Sequence, residues 1–378
     1  MRVVLAGGGS GGHVYPALAI IEALGRCQPD GVEVLYIGTQ HGLEARVVPE
    51  HGITFAPIQA RGILGKGLKQ KAGAAILAVS GFFEALRLLR RFRCDVVIGT
   101  GGYVTGPVGL AAVALGVPLI IQEQNVWPGV TNRVLARFAK LIFSPYEQSR
   151  PYFPRGANLM VVANPVSAPI GESREQARMR LGLKLESKLL MVTGGSQGAW
   201  AINRWILSIL PEMIQREDFG LLWATGPRYF ERIQNEIGER KLYLDPRRIQ
   251  VQAYFDEISR CYRASDLFLG RAGAMTITDC LAYGLPMVLV PSPNVAEDHQ
   301  TRNAQALEEA GVALMVTESQ LGEVGLPRVF RLLADEGARI PMHERAKSLF
   351  DPGAADKMAR MVALTDEAVR REKARGRR

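Results

Sequence analysis

Short apolar runs alternate with longer amphipathic segments along the whole chain. Runs of strand character are Val3–Ala6, Val34–Ile37, Val96–Ile98, Leu119–Ile121, Leu141–Phe143, Leu189–Val192, Leu221–Ala224, Leu267–Leu269 and Met287–Val290. Segments of helical character include Pro16–Arg26, Phe82–Phe92, Thr131–Lys140, Ala201–Gln215, Ala274–Ala282, Thr301–Ala310 and Ala354–Arg370. Such strand–helix alternation predicts parallel sheets covered by helices on both faces. The cycle restarts near Asn164. Leu159–Ala163 reads as a closing strand, Pro165–Gly171 as a linker and Arg174–Leu181 as a charged helix, and Leu189 opens a new strand. The predicted fold class is α/β: two Rossmann-like doubly wound domains, residues 1–163 and 164–349, facing each other across a cleft.

Each half opens with a strand, a glycine-rich turn and a helix: VVLAGGGSGGH (Val3–His13) and LLMVTGGSQGA (Leu189–Ala199). Each also has a second such turn, GTGGYVTGP (Gly99–Pro107) and GRAGAMTITD (Gly270–Asp279). Glycines let the backbone approach a phosphate, and a helix N-terminus supplies free N–H groups. Ligands in such sheets sit at the carboxyl ends of the strands. The first turn lacks G-x-G-x-x-G spacing, and Val34–Ile37 leads to Gly38 and Thr39 rather than to an acid, which disfavours a dinucleotide. No turn ends in the Gly-Lys-Ser/Thr of an ATPase loop.

His13 follows the first turn, where a histidine can serve as general base or merely cap the helix. Glu123 and Asn125 follow the Leu119–Ile121 strand, and fit either selection of sugar hydroxyls or loop hydrogen bonding. Asp279 lies five residues after Ala274, where a carboxylate can accept both hydroxyls of a ribose or simply face solvent. The histidines show no metal spacing and no Asp-x-Asp pair is present. The sequence therefore calls for no metal and no cofactor, and a helix terminus is expected to neutralise a diphosphate.

Composition narrows the class. Of 378 residues 47% are hydrophobic and 22% charged, enough apolar surface for a large core. The four cysteines are scattered, which argues against a disulfide framework. The N-terminus lacks the apolar stretch of a signal peptide. The uncharged run Val96–Gln122 is broken by glycines and prolines, so it reads as strand, loop, helix and strand rather than as a span. The net charge of +9 is localised: Arg61–Arg93 holds eight basic residues and one acid. Within it lies the apolar stretch Ala72–Phe83, with Ile76, Val79, Phe82 and Phe83 spaced by threes and fours. Lys66, Lys69 and Lys71 precede this stripe. Greasy residues ringed by cations suit an anionic membrane surface better than a nucleic acid, which offers little apolar area. The pattern also fits a core helix with a solvated basic end.

Taken together, GGGSGGHVYPALA (Gly7–Ala19), GTGGYVTGP, QEQN, NPV (Asn164–Val166), GGSQGA, GRAGAMTITD and PSPNVAEDHQTRNA (Pro291–Ala304) resemble, in order, the family of UDP-N-acetylglucosamine-dependent transferases that convert lipid I to lipid II in peptidoglycan synthesis (glycosyltransferase family 28). The resemblance implies the two-domain GT-B architecture, with the last helix, residues 350–378, returning to the first domain. It implies that Ser10, Gly11, Gly12 and Asn125 face the donor sugar and diphosphate. UDP-N-acetylglucosamine is then expected on Ser196, the backbone of Phe255, Ala274, Met275, Thr276, Asp279 and Gln300. Ser167 joins the expected set where the family often has Arg, and Asp279 stands where it commonly has Glu. The expected reaction is an inverting transfer to the C4 hydroxyl of polyprenyl-diphosphate-linked N-acetylmuramoyl-pentapeptide, with His13 as base and Glu123 in reserve. It is expected at the cytoplasmic face of the membrane with peripheral attachment. The alternatives are a UDP-N-acetylglucosamine 2-epimerase of the same fold and a non-catalytic membrane-binding module.

Overall fold

Among the described residues of the computed structural model (1–28, 31–62, 68–166, 169–293 and 298–375), every strand pairs in parallel with its neighbours. The chain divides into two units, Met1–Ser167 with Asp351–Arg378, and Ala168–Phe350.

The first unit holds β1 (Arg2–Gly7), β2 (Glu33–Gly38), β3 (Thr54–Pro57), β4 (Val96–Gly101), β5 (Leu119–Gln122), β6 (Leu141–Ser144) and β7 (Leu159–Val161). Their spatial order is β3-β2-β1-β4-β5-β6-β7. The order reverses between β1 and β4, so the loops leaving these two strands diverge and open a crevice. Alternate residues of β1 feed opposite cores: Val3 and Leu5 join one, Val4 and Ala6 the other. On the first face lie α1 (Gly11–Cys27) and α2 (Glu44–Glu50). On the second lie α3 (Leu68–Phe92), α4 (Thr105–Ala114) and α5 (Val130–Leu135), which contribute Ala85 and Leu89, Val108 and Ala111, and Leu135 to that core.

The second unit holds β8 (Lys188–Thr193), β9 (Phe219–Ala224), β10 (Ile249–Gln252), β11 (Leu267–Gly270), β12 (Met287–Leu289) and β13 (Ala313–Met315) in the order β10-β9-β8-β11-β12-β13. Here the reversal falls between β8 and β11. Its helices are α6 (Arg174–Arg180), α7 (Trp200–Gln215), α8 (Pro227–Glu239), α9 (Ile258–Ala264), α10 (Ala274–Ala282), α11 (His299–Glu309), α12 (Leu326–Ala334) and α13 (Glu336–Leu349). Ser173 starts α6 with a reciprocal cap to Gln176, which makes a sharp helix entry in the connecting segment. The final helix, α14 (Ala354–Arg375), belongs to the first unit. It buries Ala354, Met358 and Val362 in the core that α1 shares, and Asp356 pairs with Arg26 at 2.8 Å.

The first unit extends past Ala163, the boundary expected from the apolar pattern. Asn164 explains the shift: its Nδ2 donates to the Gln124 carbonyl, and its Oδ1 accepts from Gln122 Nε2. These side-chain bonds tie the NPV segment to β5, which hydrophobicity alone does not reveal.

Candidate functional site

In the first unit, β1 delivers the chain into Gly7–Gly8–Gly9 at the reversal point. Ser10 is extended (φ −153°, ψ 158°) and caps α1. The first turn closes with His13 N–H donating to the Ser10 carbonyl, so the N–H groups of Gly11 and Gly12 have no intrahelical acceptor. Ser10 is exposed and Gly11, Gly12 and His13 half-buried, so the helix entrance is reachable by ligand.

A bulge in β4 places His13. Ala6 pairs with Gly99 and Gly7 with Gly101, which leaves Thr100 outside the ladder. Bulges re-aim groups beside functional sites, and here the Thr100 carbonyl lies 2.9 Å from His13 Nδ1. The Thr100 hydroxyl in turn donates to the His13 carbonyl at 2.8 Å. A carbonyl only accepts, so Nδ1 carries the hydrogen and neutral His13 keeps its lone pair on Nε2. The imidazole lies against the second glycine turn. A Cβ at Gly101 would stand 2.8 Å from His13 Nδ1, and Gly101 (φ +104°) and Gly102 (φ +79°) adopt backbone that only glycine accepts readily.

Glu123 is 1% exposed and saturated. Oε1 accepts from the Gln124 N–H (2.9 Å), the Asn125 N–H (3.0 Å) and Asn125 Nδ2 (3.2 Å). Oε2 accepts from the Gly129 N–H (3.1 Å) and Asn132 Nδ2 (2.8 Å). With five donors on its two oxygens, this carboxylate has little lone-pair capacity left for a substrate proton. The geometry makes Glu123 the anchor of the 124–132 loop and of Asn125.

The second unit repeats the plan. The first intrahelical bond of α10 runs from Ile277 N–H to the Gly273 carbonyl, so the N–H groups of Ala274, Met275 and Thr276 are open at the carboxyl end of β11. Across the reversal, β8 runs into Gly194–Gly195–Ser196, with Ser196 exposed. Asp279, further along α10, is pushed up to about 7 by burial, with no charged neighbour contributing. Phe255 is buried just beyond β10, where Thr225 and Gly226 N–H groups bond the Gln252 and Ala253 carbonyls. Gln300 Oε1 accepts from Ser292 N–H at 2.9 Å, joining α11 to the loop after β12. Ser196, Phe255, Ala274–Thr276 and Gln300 thus share the carboxyl rim of one parallel sheet. Ser167 and Lys66 lie outside the described residues.

Thr100, Asn132 and Asn303 support the site without having been singled out from the sequence. Asn303 is buried and bonds the Ala272 carbonyl at 3.2 Å, fixing the turn before α10. Asn132 has a sequence signal, a polar residue on the inner face of the amphipathic Thr131–Lys140 pattern. Thr100 has none, because a bulge is invisible until β1 and β4 are paired.

The membrane stripe is partly redrawn. Ile76, Val79 and Phe83 are 71%, 58% and 57% exposed on α3, whereas Phe82 packs against the core. Ile76 and Phe83 are two turns apart on one face, and Phe82 falls one residue, about 100°, out of phase. Lys69 lies within α3. Leu110 on α4, Val130 and Val134 on α5 and Phe138 in the turn after α5 are also exposed in this same layer. No helix among the described residues is long and apolar enough to cross a membrane, and no group of His, Cys, Asp or Glu among them could hold a metal ion.

Comparison with known proteins agrees with this architecture. Residues 3–144 match the glycosyltransferase family 28 N-terminal domain, and residues 189–358 match its C-terminal domain. The chain is 42% identical over 367 residues to the UDP-N-acetylglucosamine–N-acetylmuramyl-(pentapeptide) pyrophosphoryl-undecaprenol N-acetylglucosamine transferase of Symbiobacterium thermophilum, with 96% of each chain covered. It is 42% identical over 371 residues to the protein of the same name from Moorella thermoacetica, covering 97% of this chain and 100% of the relative. Among solved structures, MurG of Acinetobacter baumannii superimposes with a TM-score of 0.76 at 30% identity, covering 96% of this chain and 99% of that one. UDP-GlcNAc 2-epimerase of Neisseria meningitidis, at 16% identity and a TM-score of 0.66 over 97% of this chain and 100% of that one, shares the fold.

Proposed function

The chain belongs to glycosyltransferase family 28, and from that premise we propose that it transfers N-acetylglucosamine from UDP-N-acetylglucosamine to the C4 hydroxyl of lipid-linked N-acetylmuramoyl-pentapeptide, forming lipid II for peptidoglycan. The observation that carries the reading is the pair of open helix entrances at the two reversal points, one beside a histidine of fixed tautomer. The acceptor oxygen attacks the anomeric carbon as the bond from that carbon to the β-phosphate oxygen breaks, with inversion. His13 Nε2 takes the hydroxyl proton. The N–H groups of Ala274, Met275 and Thr276 receive the charge that develops on departing UDP. Asp279 accepts the ribose hydroxyls, the Phe255 backbone reads uracil, and Ser196 and Gln300 bind the rest of the donor. Ser10, Gly11, Gly12 and Asn125 serve the diphosphate and sugar from the first unit.

The same-fold epimerase reading draws only on structures below 20% identity, which speak to fold. It also leaves the apolar, cationic helix layer unused. That layer supports docking on an anionic bilayer at its cytoplasmic face. Its helices α3, α4 and α5 present Ile76, Val79, Phe83, Leu110, Val130 and Val134 at the surface, and the three helices carry basic residues with one acid, Glu84. Near an anionic leaflet each cation contributes about 1 kcal/mol, and the apolar side chains add their burial. A polyprenyl acceptor cannot leave the bilayer cheaply, so the enzyme comes to it. Cosedimentation with anionic vesicles tests the docking, and product analysis with UDP-N-acetylglucosamine and lipid I tests the transfer.

A further inference from the structure

Behind the first glycine turn lies a carboxylate with no place in the reaction just described. Glu44, at the start of α2, is fully buried. Its Oε2 accepts from the Gly9 N–H at 3.2 Å, and its Oε1 from the Thr39 N–H at 3.0 Å and the Thr39 hydroxyl at 2.8 Å. All three donors are uncharged, and between them they engage both carboxyl oxygens. A buried polar group is costly unless it is hydrogen-bonded, so these three bonds hold Glu44 in place.

Three separate segments make room for it. A Cβ at Gly8 would come within 2.4 Å of Glu44 Oε1, and one at Gly42 within 2.2 Å of the same atom. A Cβ at Gly38, where β2 ends, would lie 2.5 Å from Glu44 Cγ. Neither Gly8 nor Gly38 nor Gly42 has a positive φ, so backbone conformation alone does not demand glycine there. Space for the carboxylate does.

At the start of the turn, the Thr105 hydroxyl from α4 donates to the Ala6 carbonyl at 2.8 Å, and the Tyr36 hydroxyl from β2 donates to the Gly7 carbonyl at 3.1 Å. The turn is thus pinned from two sides, and Glu44 alone holds the Gly9 N–H. Gly9 (φ +89°) is the residue after which the chain swings out to Ser10 and the α1 entrance.

We propose that Glu44 is a positioning residue for the sugar transfer: by drawing the Gly9 N–H inward it sets the turn that aims the Gly11 and Gly12 N–H groups and His13 at the reacting groups. This rests on the transferase reading above. It acts through the loop and touches no substrate. A small misplacement of aligned groups can cost about 100-fold in rate.

The test compares Glu44→Gln with Thr39→Val. The glutamine keeps the volume, but when its oxygen serves Thr39 its NH2 confronts the Gly9 N–H. Thr39→Val removes one donor to Oε1 and leaves the Gly9 bond. We expect Glu44→Gln to lose about 100-fold in kcat with the Kd for UDP unchanged, because the UDP groups lie in the second unit, and Thr39→Val to keep kcat within a few-fold at a comparable melting temperature. Parental kcat in Glu44→Gln, or equal losses in both variants that follow melting temperature, would overturn the inference. Should Glu44→Gln not fold, amide exchange in the 15N-glycine-labelled parent decides: Gly9 protected with Gly11 and Gly12 exchanging fast supports it, and fast exchange at Gly9 refutes it. A parent that transfers no sugar at all would instead count against the transferase reading, so the two failures are distinct.

Discussion

His13 Nδ1 stands 2.9 Å from the carbonyl oxygen of Thr100, the residue that the β4 bulge pushes out of the ladder. That contact leaves Nε2 as the only proton acceptor of the neutral ring. His13→Ala should lower turnover by about 10²–10⁴-fold while the Kd for UDP stays near the parent's. Steady-state kinetics with a soluble acceptor analogue, paired with UDP titration, separates the two effects. Near-normal turnover in His13→Ala, with loss in Glu123→Ala, would reverse the assignment.

Gly101→Ala offers an independent route to the same histidine. The new methyl would meet His13 Nδ1 at 2.8 Å and would sit at φ +104°. Activity should fall without any change to a catalytic side chain, and UDP binding should persist. A fully active Gly101→Ala protein would mean that the ring need not lie where the bulge puts it.

As the proposed ribose acceptor, Asp279 should make donor binding depend on pH. Its folded pKa of about 7 is raised by burial, and a ribose diol donates its hydrogens best to the ionised form. UDP affinity should therefore rise between pH 6 and pH 8, with a proton released on binding below neutrality. Stability runs the other way: the unfolded chain ionises first, so the free protein loses stability as pH climbs from the ordinary Asp range towards 7. Asp279→Asn should flatten both trends, and Asp279→Ala should weaken UDP by about 1–3 kcal/mol. Calorimetry in buffers of different ionisation enthalpy reads the proton directly, and pH-independent binding would remove Asp279 from the ribose.

What the sequence made legible follows the range of the interactions. The glycine turns, the helices behind them and the restart of the pattern are local features, and they predicted the two α/β units. Edge strands β3, β10 and β13 were missed because TFAP and IQVQ carry too little apolar signal and ALM is only three residues long. Thr100, Glu44 and Asn303 were missed for another reason. Each acts through a bond to a segment about 30 to 90 residues away, which no local pattern encodes. Phe82 and Phe83 mark the limit within one helix: periodicity found the apolar stripe, and only packing against the core decided which ring turns inward.

The α3 stripe yields a paired experiment. Ile76→Ser with Phe83→Ser should abolish binding to anionic vesicles and leave the melting temperature nearly unchanged, since both residues are exposed. Phe82→Ser should do the opposite and lower stability, by about 3 kcal/mol or somewhat less for a partly buried ring. If the double variant still cosediments, the bilayer contact lies elsewhere.

The central claim is sugar transfer to a lipid-linked muramoyl acceptor, and one assay reaches it. Purified protein is incubated with UDP-N-acetylglucosamine labelled in the sugar, with and without lipid I or a short-chain analogue, and the products are identified by mass and linkage. The account predicts acceptor-dependent release of UDP and a β-linked disaccharide on the lipid, both lost in His13→Ala. Formation of UDP-N-acetylmannosamine without acceptor, or no turnover with a folded, UDP-binding protein, would contradict it.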